Sequence, residues 1–473
     1  MRTLLLLPTA FVMSACMAST GGQQAGQVER RERVERGLRG AVTVKGRAVV
    51  RHALTDRMSE WHVRGVSIAV IDEGRVAWAQ GYGQTGDGGP VTVETRFQAA
   101  SISKPVAAMT ALRLVELGTL TLDADVNTQL KRWKVPASAA AVGEPVTLRR
   151  LLSHTAGLTV HGFPGYAVGA QVPSLVQLLD GVTPANTAAV RIDLKPGTQW
   201  RYSGGGYEVM QLLIEDVTGE PFERVAQRLV LGPLGMTHST YEQPLPAAAL
   251  ALAAAGHDDH GVVIPGKRHT YPEQTAAGLW TTPSDLALVI LEIQKPGRVL
   301  RRETVETMLT PVLQDYGLGF GVNTESGKRS FGHGGSNEGF RCQIHGHRDR
   351  PSGAVVMTNA EQGGRLTADV LRAVASEYGW PDMREREVTI ATVPLETLRS
   401  YEGRYHLGGR DGVVAATDGH LTLQVPDGST IALQPIGNGV FVDLDSRIPD
   451  ITFSLSTQGK MQLAIDNQVA VRK

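Results

Sequence analysis

The sequence predicts an α/β protein of the α+β type, with a mixed antiparallel sheet, an inserted helical subdomain and a small all-β barrel at the C-terminus. Three observations lead to this fold class. Short apolar strands surround a turn within residues 66–83, helical periodicity runs from 107 to about 240, and short strands return between 316 and 358. Because strands lie on both sides of the helical block, we expect the first and last segments to share one sheet.

Changes in composition along the chain predict the domain boundaries. Residues 1–16 are expected to be a leader and 17–44 a polar tether and lead-in, followed by the main domain over 45–380. A charged, proline-bounded stretch over 381–394 is typical of a linker. Residues 395–473 alternate apolar and polar side chains, with turns about every ten residues, which predicts the all-β barrel.

The leader resembles an export signal with a lipobox. Arg2 precedes an apolar run from Leu4 to Ala15 that is too short to span a bilayer, and small residues precede Cys16. Cys16 would then be lipidated and become the mature N-terminus; a plain secretory signal is the alternative. We therefore expect an exported protein, either periplasmic or held at the outer membrane by a lipid anchor at most.

Charge and cysteine content exclude several classes of protein. The 473 residues include 47 Lys and Arg and 47 Asp and Glu, so the formal net charge is zero and no nucleic-acid partner is expected. Cys342 is the second of two cysteines, and the first lies in the leader, so no disulfide framework is predicted. Stability must therefore come from the apolar core.

The first candidate for chemistry is a serine–lysine pair at a predicted strand-to-helix junction. Ser101 and Lys104 are three residues apart and share one face of the first helical turn, so the lysine can reach the serine hydroxyl. Free backbone N–H groups at a helix N-terminus favour developing negative charge. Taken alone, the same pattern also fits a serine N-cap followed by a solvated lysine.

Two further motifs lie downstream. Tyr202 and Ser203 precede three glycines and a predicted helix, so the phenol can be offered to a cleft and can act as a base beside a lysine cation. His333 is followed by Gly334 and Gly335, which let a substrate lie along a strand edge. Taken alone, each motif also fits a structural role, as an aromatic anchor on its loop or a hydrogen-bonded strand histidine.

The three motifs together, Ser-x-x-Lys, Tyr-Ser-x and His-Gly-Gly, are similar to the active-site motifs of the serine β-lactamase and penicillin-binding protein superfamily. The phrases LLSHTAGL, KPGTQWRYS and AAGLWTTPSDLA look like the class C β-lactamase-like serine hydrolases. That group includes family VIII carboxylesterases, D-aminopeptidases and D,D-peptidases. The likeness covers residues 45–380, and the C-terminal module resembles the lipocalin-like domain that some members carry.

The resemblance implies a role for each motif residue. Ser101 would be the acylated nucleophile, Lys104 and Tyr202 the proton-transfer pair, and His333 would replace the lysine of the third motif. The oxyanion hole would be the backbone N–H groups of Ser101 and Ser336. The substrate-binding positions that it implies are Ser101, Gly335, Ser336, Ser203 and Gly204.

Two departures from the family pattern shape the predicted function. Gly204 stands where the second motif usually has asparagine, and His333 removes the fixed cation that would hold a substrate carboxylate. Both weaken the case for β-lactam or peptidoglycan recognition and suit a less anionic ester or amide. The predicted function is therefore that of an exported serine hydrolase that acts through an acyl-enzyme on a small ester or amide. The alternatives are a D-aminopeptidase or D,D-peptidase acting on a D-amino-acid peptide, a weak β-lactamase, or, in another class, a non-catalytic penicillin-recognising binding protein.

No metal or cofactor is expected. His257, Asp258, Asp259 and His260 could ligate a metal, but the stretch has no rigid element to set the geometry and a solvated loop is the better interpretation. His154 is interpreted as a structural hydrogen-bonding residue at a helix end.

Overall fold

The computed structural model describes residues 26–407, 410–425, 428–445, 448–466 and 468–472. The predicted leader, with Cys16, and the first part of the tether lie outside the described residues. Two compact units make up the described chain. One contains residues 26–33 and 55–367, and the other contains residues 34–54 and those from 368 onward.

Strands occur in both units. In chain order they are β1 (Val42–Val44), β2 (Gly65–Asp72), β3 (Arg75–Gly83), β4 (Phe97–Gln98), β5 (Trp280–Thr281), β6 (Gly321–Asn323), β7 (Ser330–Asn337), β8 (Phe340–His347), β9 (Gly353–Thr358), β10 (Arg386–Val388), β11 (Gly403–Leu407), β12 (Arg410–Thr417), β13 (His420–Gln424), β14 (Thr430–Gly437), β15 (Val440–Val442), β16 (Ile451–Leu455), β17 (Met461–Ile465) and β18 (Gln468–Val471).

The α-helices of five or more residues span 26–35, Leu54–Glu60, Ser103–Glu116, Leu148–Leu152, Leu175–Asp180, Gly204–Thr218, Phe222–Ala226, Pro283–Gln294, Arg302–Met308, Gly363–Tyr378 and Leu395–Ser400. Shorter helical turns include Ala100–Ile102 and Gln274–Ala277. None of the helices in the described residues combines the length and the apolar character needed to cross a membrane.

A six-stranded antiparallel sheet organises the first unit. Its spatial order is β3-β2-β9-β8-β7-β6, so β2 from the start of the unit pairs directly with β9 from its end. The β2–β3 turn is formed by Glu73 and Gly74, both with positive φ, which is the backbone that a tight hairpin needs. The helical block lies between β4 and β5 in sequence. The predicted fold class is therefore confirmed.

The helix Ser103–Glu116 lies at the centre of the core of this unit. Its residues Ala107, Ala108, Met109 and Ala111 are completely buried, and small side chains let neighbouring elements approach the helix from several sides. A helix that is buried almost all round has only a weak apolar stripe. The packing of this helix in the core therefore fixes the position of its first turn.

The second unit ends in an eight-stranded antiparallel sheet in which β11 to β18 follow one another in sequence order. An antiparallel bridge between Tyr405 and Arg472 brings its first and last strands together, so the sheet is a nearly closed barrel. The predicted all-β barrel is thus confirmed. In the same unit, the predicted 381–394 linker contains β10, which pairs in parallel with β1.

Aromatic side chains fill the barrel interior. Phe453 lies with its ring centroid 5.5 Å from Phe441, 4.8 Å from Tyr401 and 5.8 Å from Tyr405. Apolar residues from the alternating strands complete this core. An eight-stranded barrel has an interior that side chains can just fill, and here side chains fill it.

We expect Phe453→Ala to destabilise the barrel by about 3–5 kcal/mol, because it removes the ring that contacts three others. Hydrogen exchange followed by mass spectrometry should show faster exchange in peptides from β11 to β18. Val413→Ala, at a 36% exposed position of the same barrel, is the matched control and should change the stability by less than about 0.5 kcal/mol. Equal protection in the two variants would contradict the packing described above.

Candidate active site

Ser101 lies where the short strand β4 turns into the central helix. It occupies the helical turn Ala100–Ile102, which continues directly into Ser103–Glu116. The preceding residue, Ala100, has φ of +49°, in the left-handed region that non-glycine residues seldom adopt. Such backbone strain is typical of functional sites, where the position of a side chain is fixed by its surroundings. Ser101 is half-buried, at the floor of a pocket.

Lys104 reaches the Ser101 hydroxyl, as the spacing predicts. Its Nζ lies 3.1 Å from Ser101 Oγ and donates a second hydrogen bond, 2.8 Å long, to the carbonyl oxygen of Ala276. The side chain is 2% exposed, so the alternative of a solvated lysine is excluded. The same Nζ lies 4.9 Å from the centre of the Tyr202 ring and 5.6 Å from that of Tyr207.

Tyr202 is held by the two residues that follow it. Ser203 is the N-cap of the helix Gly204–Thr218: its Oγ accepts a hydrogen bond from Gly206 N–H at 3.0 Å and donates one to the Thr159 carbonyl at 2.8 Å. At Gly204, a Cβ would lie 2.8 Å from a ring carbon of Phe163. Ser203 and Gly204 therefore pack against the neighbouring loop directly after Tyr202, and their predicted contact with substrate stays a prediction.

His154 packs against the face of Tyr202. The two ring centroids are 4.2 Å apart, and His154 Nδ1 accepts a hydrogen bond from the backbone N–H of Ser203 at 3.1 Å. Burial, followed by the charge of Lys104, holds the pKa of His154 well below its usual value, so the ring is neutral. The predicted structural role is right, and the structure adds that this ring orients the phenol.

The open edge of β7 faces Ser101. Residues that flank a two-residue hairpin loop exchange hydrogen bonds, and Asn337 pairs with Phe340 across such a loop. By alternation, Gly335 bonds to β8, whereas the N–H of Ser336 points to the opposite edge. On that edge, β6 pairs with residues Ser330 to Gly332. Ser336 lies outside this paired segment, and the turn that carries Ser101 contacts β7. The N–H of Ser336 therefore lies on the side of β7 that the predicted oxyanion hole of Ser101 and Ser336 requires.

Gly335 allows this close approach. A Cβ at this position would lie 2.3 Å from the carbonyl oxygen of Ala99 and 2.4 Å from Cys342 Sγ. Neither neighbour can yield, because one is backbone and the other is a buried side chain. Gly335 is thus required for the contact between β7 and the serine turn, and not for its backbone freedom.

His333 is neutral in this site. Its Nδ1 lies 2.6 Å from the carbonyl oxygen of Gly334, and because a carbonyl only accepts, Nδ1 carries the proton and Nε2 a lone pair. Burial, followed by the charge of Lys104, lowers the pKa of His333 to about 4. His333 is therefore uncharged across the physiological pH range. The ring centroid is 6.0 Å from that of Tyr202.

These groups share one pocket of about 670 Å³. It is lined by Ser101, His161, Trp200, Arg201, Tyr202, His333, Gly334, Gly335, Ser336, Arg341, Cys342, Gln343, Gly364 and Thr367. None of these described lining residues is acidic. Lys104 lies beneath the floor, in contact with Ser101.

Some predicted residues lie elsewhere, and some functional ones were missed. His257 is buried with Nδ1 2.7 Å from the Asn359 carbonyl, and Asp258 accepts hydrogen bonds from its own turn, so this stretch is structural. Trp200 and Tyr316 pack around His154 and were not singled out. Trp200 could have been found, because it stands two residues before Tyr202.

We expect Gly335→Ala to lower the rate at which Ser101 is labelled by a fluorophosphonate by about 10²–10³-fold, the usual loss when an oxyanion donor is removed. The added methyl must push β7 away from the serine turn. Labelling is read by intact mass. The matched control is Gly321→Ala in β6, where the nearest atom to the new Cβ is 3.6 Å away. Similar labelling rates in the two variants would contradict the assigned oxyanion position.

A family model described as Beta-lactamase matches residues 50–378. Esterase EstB of Burkholderia gladioli is 31% identical over 200 residues, which cover 40% of this chain and 49% of that protein. Penicillin-binding protein 4 of Amycolatopsis lactamdurans is 31% identical over 198 residues, covering 42% and 49%. The chain spans about half the length of the curated relatives that it matches.

Solved structures show the same fold. The octameric penicillin-binding protein homologue from Pyrococcus abyssi has a TM-score of 0.58 at 22% identity, over 89% of this chain and 98% of its own. EstCE1, a hydrolase with promiscuous acyltransferase activity, has a TM-score of 0.59 at 22% identity, over 74% and 99%. The family match covers well over half of the sequence and contains every pocket residue described above. The chain therefore belongs to the beta-lactamase family.

Proposed function

We propose that this protein is a serine hydrolase that acts through an acyl-enzyme on small esters or amides that are uncharged near the scissile bond. The observation that carries the proposal is the electrostatic character of the pocket. His333 is neutral where the family motif has a lysine, and none of the described lining residues is a carboxylate. A substrate carboxylate would meet no fixed ammonium there, and the free amine of a D-amino acid would meet no anion.

The two arginines of the pocket are already engaged. Arg341 donates to the carbonyl oxygens of Asn337 and Phe340 at 2.6 and 2.8 Å and forms an ion pair with Glu361. Arg201 is paired with Asp193. Recruiting either guanidinium to a substrate carboxylate would break an existing pair, so the arginines do not replace the missing lysine.

The proposed reaction uses the groups in contact. Ser101 Oγ attacks the substrate carbonyl while its proton passes to the Lys104–Tyr202 pair, and the oxyanion is held by the N–H groups of Ser101 and Ser336. The proton returns to the leaving alcohol or amine. Water then attacks the acyl-enzyme by the same route. The 3.1 Å contact between Lys104 and Ser101 supports catalysis over the alternative of a mere binding protein.

The relatives include both an esterase and a penicillin-binding protein. The name of EstB states an esterase, and its match has the same identity as that of Penicillin-binding protein 4, so similarity alone does not choose between them. Position 204 does. Space for the usual asparagine is taken by Phe163, which disfavours the recognition of a β-lactam or peptide acyl amide.

To test this, kcat/KM is measured for two p-nitrophenyl esters of matched size, one neutral and one carrying a free carboxylate, from pH 5.5 to 8. We expect the wild type to prefer the neutral ester throughout, because His333 stays uncharged above about pH 5. Ser101→Ala should abolish both activities. His333→Lys should narrow the preference by about tenfold, through a lower KM for the anionic ester.

The control is His333→Gln, which stays neutral and should keep the preference for the neutral ester. A D-amino-acid amide and a cephalosporin complete the panel. Preference of the wild type for the anionic ester at pH 8 would overturn the proposal and favour the peptidase or β-lactamase alternative.

We also propose that the protein is exported and anchored by a lipid at Cys16. The support is the leader sequence alone: Arg2, a short apolar run and small residues before Cys16. Cys16→Ser should move the protein from the membrane fraction to a soluble exported fraction, because one acyl-modified terminus is the sole anchor proposed. Wild-type protein found entirely in a soluble fraction would contradict lipidation.

A further inference from the structure

The alternation of residues along β7 gives the active-site pocket two sides. Gly335 faces the serine turn, where a Cβ would meet the Ala99 carbonyl oxygen, so Gly334 and Ser336 face the opposite side of the sheet. Residues directly opposite each other in an antiparallel pair share a face, and Gly334 pairs with Gln343 on β8. The catalytic steps proposed above use no side chain from this second side.

Gln343 differs from the other polar side chains around it. Arg341 donates to two backbone carbonyls and is paired with Glu361, and the Thr367 hydroxyl donates to the carbonyl of Gly364 at 2.8 Å. The amide of Gln343 is half-buried, lines the pocket and forms no hydrogen bond with another residue of the described chain. Because half-buried polar groups usually have a hydrogen-bond partner, this amide is available to a ligand.

The absence of a side chain at Gly334 leaves room for this amide. The amide oxygen of Gln343 lies 3.1 Å from the point that a Cβ at Gly334 would occupy. A side chain at position 334 would therefore push the amide aside. With glycine there, the amide lies against β7, next to the strand edge at which Ser336 presents its N–H.

The direction along β7 decides which part of a substrate meets the amide. In the proposed reaction the scissile carbonyl binds at the Ser336 N–H, and the leaving group lies toward Tyr202, because its proton returns through the Lys104–Tyr202 pair. The centroid of the Tyr202 ring is 6.0 Å from that of His333, which lies on the same side of Ser336 as Gly334. Gly334 is two residues from Ser336, or about 6.8 Å along the strand. The amide therefore lies beside the leaving group, a few covalent bonds from the scissile carbonyl.

The chemistry of the amide indicates the kind of group that it binds. A glutamine amide has no net charge and offers both a donor and an acceptor. A hydroxyl group also donates and accepts, so it can satisfy both ends of the amide. A carboxylate can use only the donor, and an ammonium can use only the acceptor.

We propose that Gln343 is a specificity-determining residue that binds a neutral hydrogen-bonding group, such as a hydroxyl, on the leaving alcohol of the substrate. The inference rests on the proposed function and deepens it, because it identifies the substrates as esters of polar, uncharged alcohols. The hydroxyl on the second carbon of a leaving alcohol is the simplest group that reaches from the scissile carbonyl to Gln343.

The test uses two neutral esters with the same acyl group and leaving alcohols of the same size, 2-hydroxyethyl butyrate and n-propyl butyrate. Their kcat/KM values are measured by titration of the released acid at constant pH. Gln343→Met keeps the length of the side chain but removes both hydrogen-bonding groups. We expect it to lower the ratio of kcat/KM between the hydroxyethyl and propyl esters by about threefold to tenfold, the effect of one neutral hydrogen bond. The loss should lie mainly in KM, because this contact is made before and during the reaction alike.

A second variant reaches the same contact from the other strand. Gly334→Ala leaves Gln343 in place but adds the Cβ that displaces its amide, so it should also lower the ratio. The matched control is Gln227→Met, at an exposed glutamine outside this pocket, which should keep the wild-type ratio. Comparing each variant with the wild type cancels the difference in intrinsic reactivity between the two esters. Circular dichroism checks that each variant is folded.

Two results would overturn the inference alone. One is an unchanged ratio in folded Gln343→Met. The other is a lower ratio in Ser336→Ala that Gln343→Met does not share, because the serine hydroxyl would then be the binding group.

Failure of the proposed function gives a different pattern. That function is tested by charge, with the neutral and anionic p-nitrophenyl esters, whereas this inference is tested by two neutral esters, so each can fail while the other holds. No turnover of either butyrate by a wild type that cleaves the neutral p-nitrophenyl ester overturns this inference only. No turnover of any of the four esters overturns the proposed function, and this inference with it.

Discussion

The site depends on one buried amino group. Lys104 lies between the Ser101 hydroxyl and the Ala276 carbonyl, almost out of contact with solvent. Taking a potential cation out of water is expensive unless its surroundings compensate. Aromatic faces, the Ala276 carbonyl and two neutral histidines lie around it. The reactivity of Ser101 therefore depends on how the core packs around Lys104.

The low polarity around Lys104 affects the rest of the pocket. The lysine charge and burial together keep His154 and His333 neutral. His154 can then accept the Ser203 N–H and support Tyr202, while His333 presents a lone pair at Nε2. A fixed cation at position 333 would lie close to Lys104 and repel it. A neutral histidine at position 333 avoids this repulsion.

Close backbone approach is the second constraint. Gly335 lets β7 contact the turn that carries Ser101, and Ala100 in that turn has a left-handed φ. Gly204 accommodates Phe163 in the same way. At these positions glycine is needed because a larger side chain would clash with a neighbour, and not because the backbone must be flexible. They also explain how the second motif differs from the family pattern without losing the placement of its tyrosine.

Much of this could be predicted from residue order alone. The spacing of Ser101 and Lys104, the turn after Tyr202 and the alternation of the C-terminal strands are local patterns, and local patterns follow from backbone geometry. What only the tertiary structure decided is which groups meet. Ser203 proved to be an N-cap, His333 is neutral, and Lys104 donates to the carbonyl of Ala276, which is 172 positions away. The charge and the partners of a side chain depend on its burial and its long-range contacts, and the residues next to it in the sequence do not determine either of these.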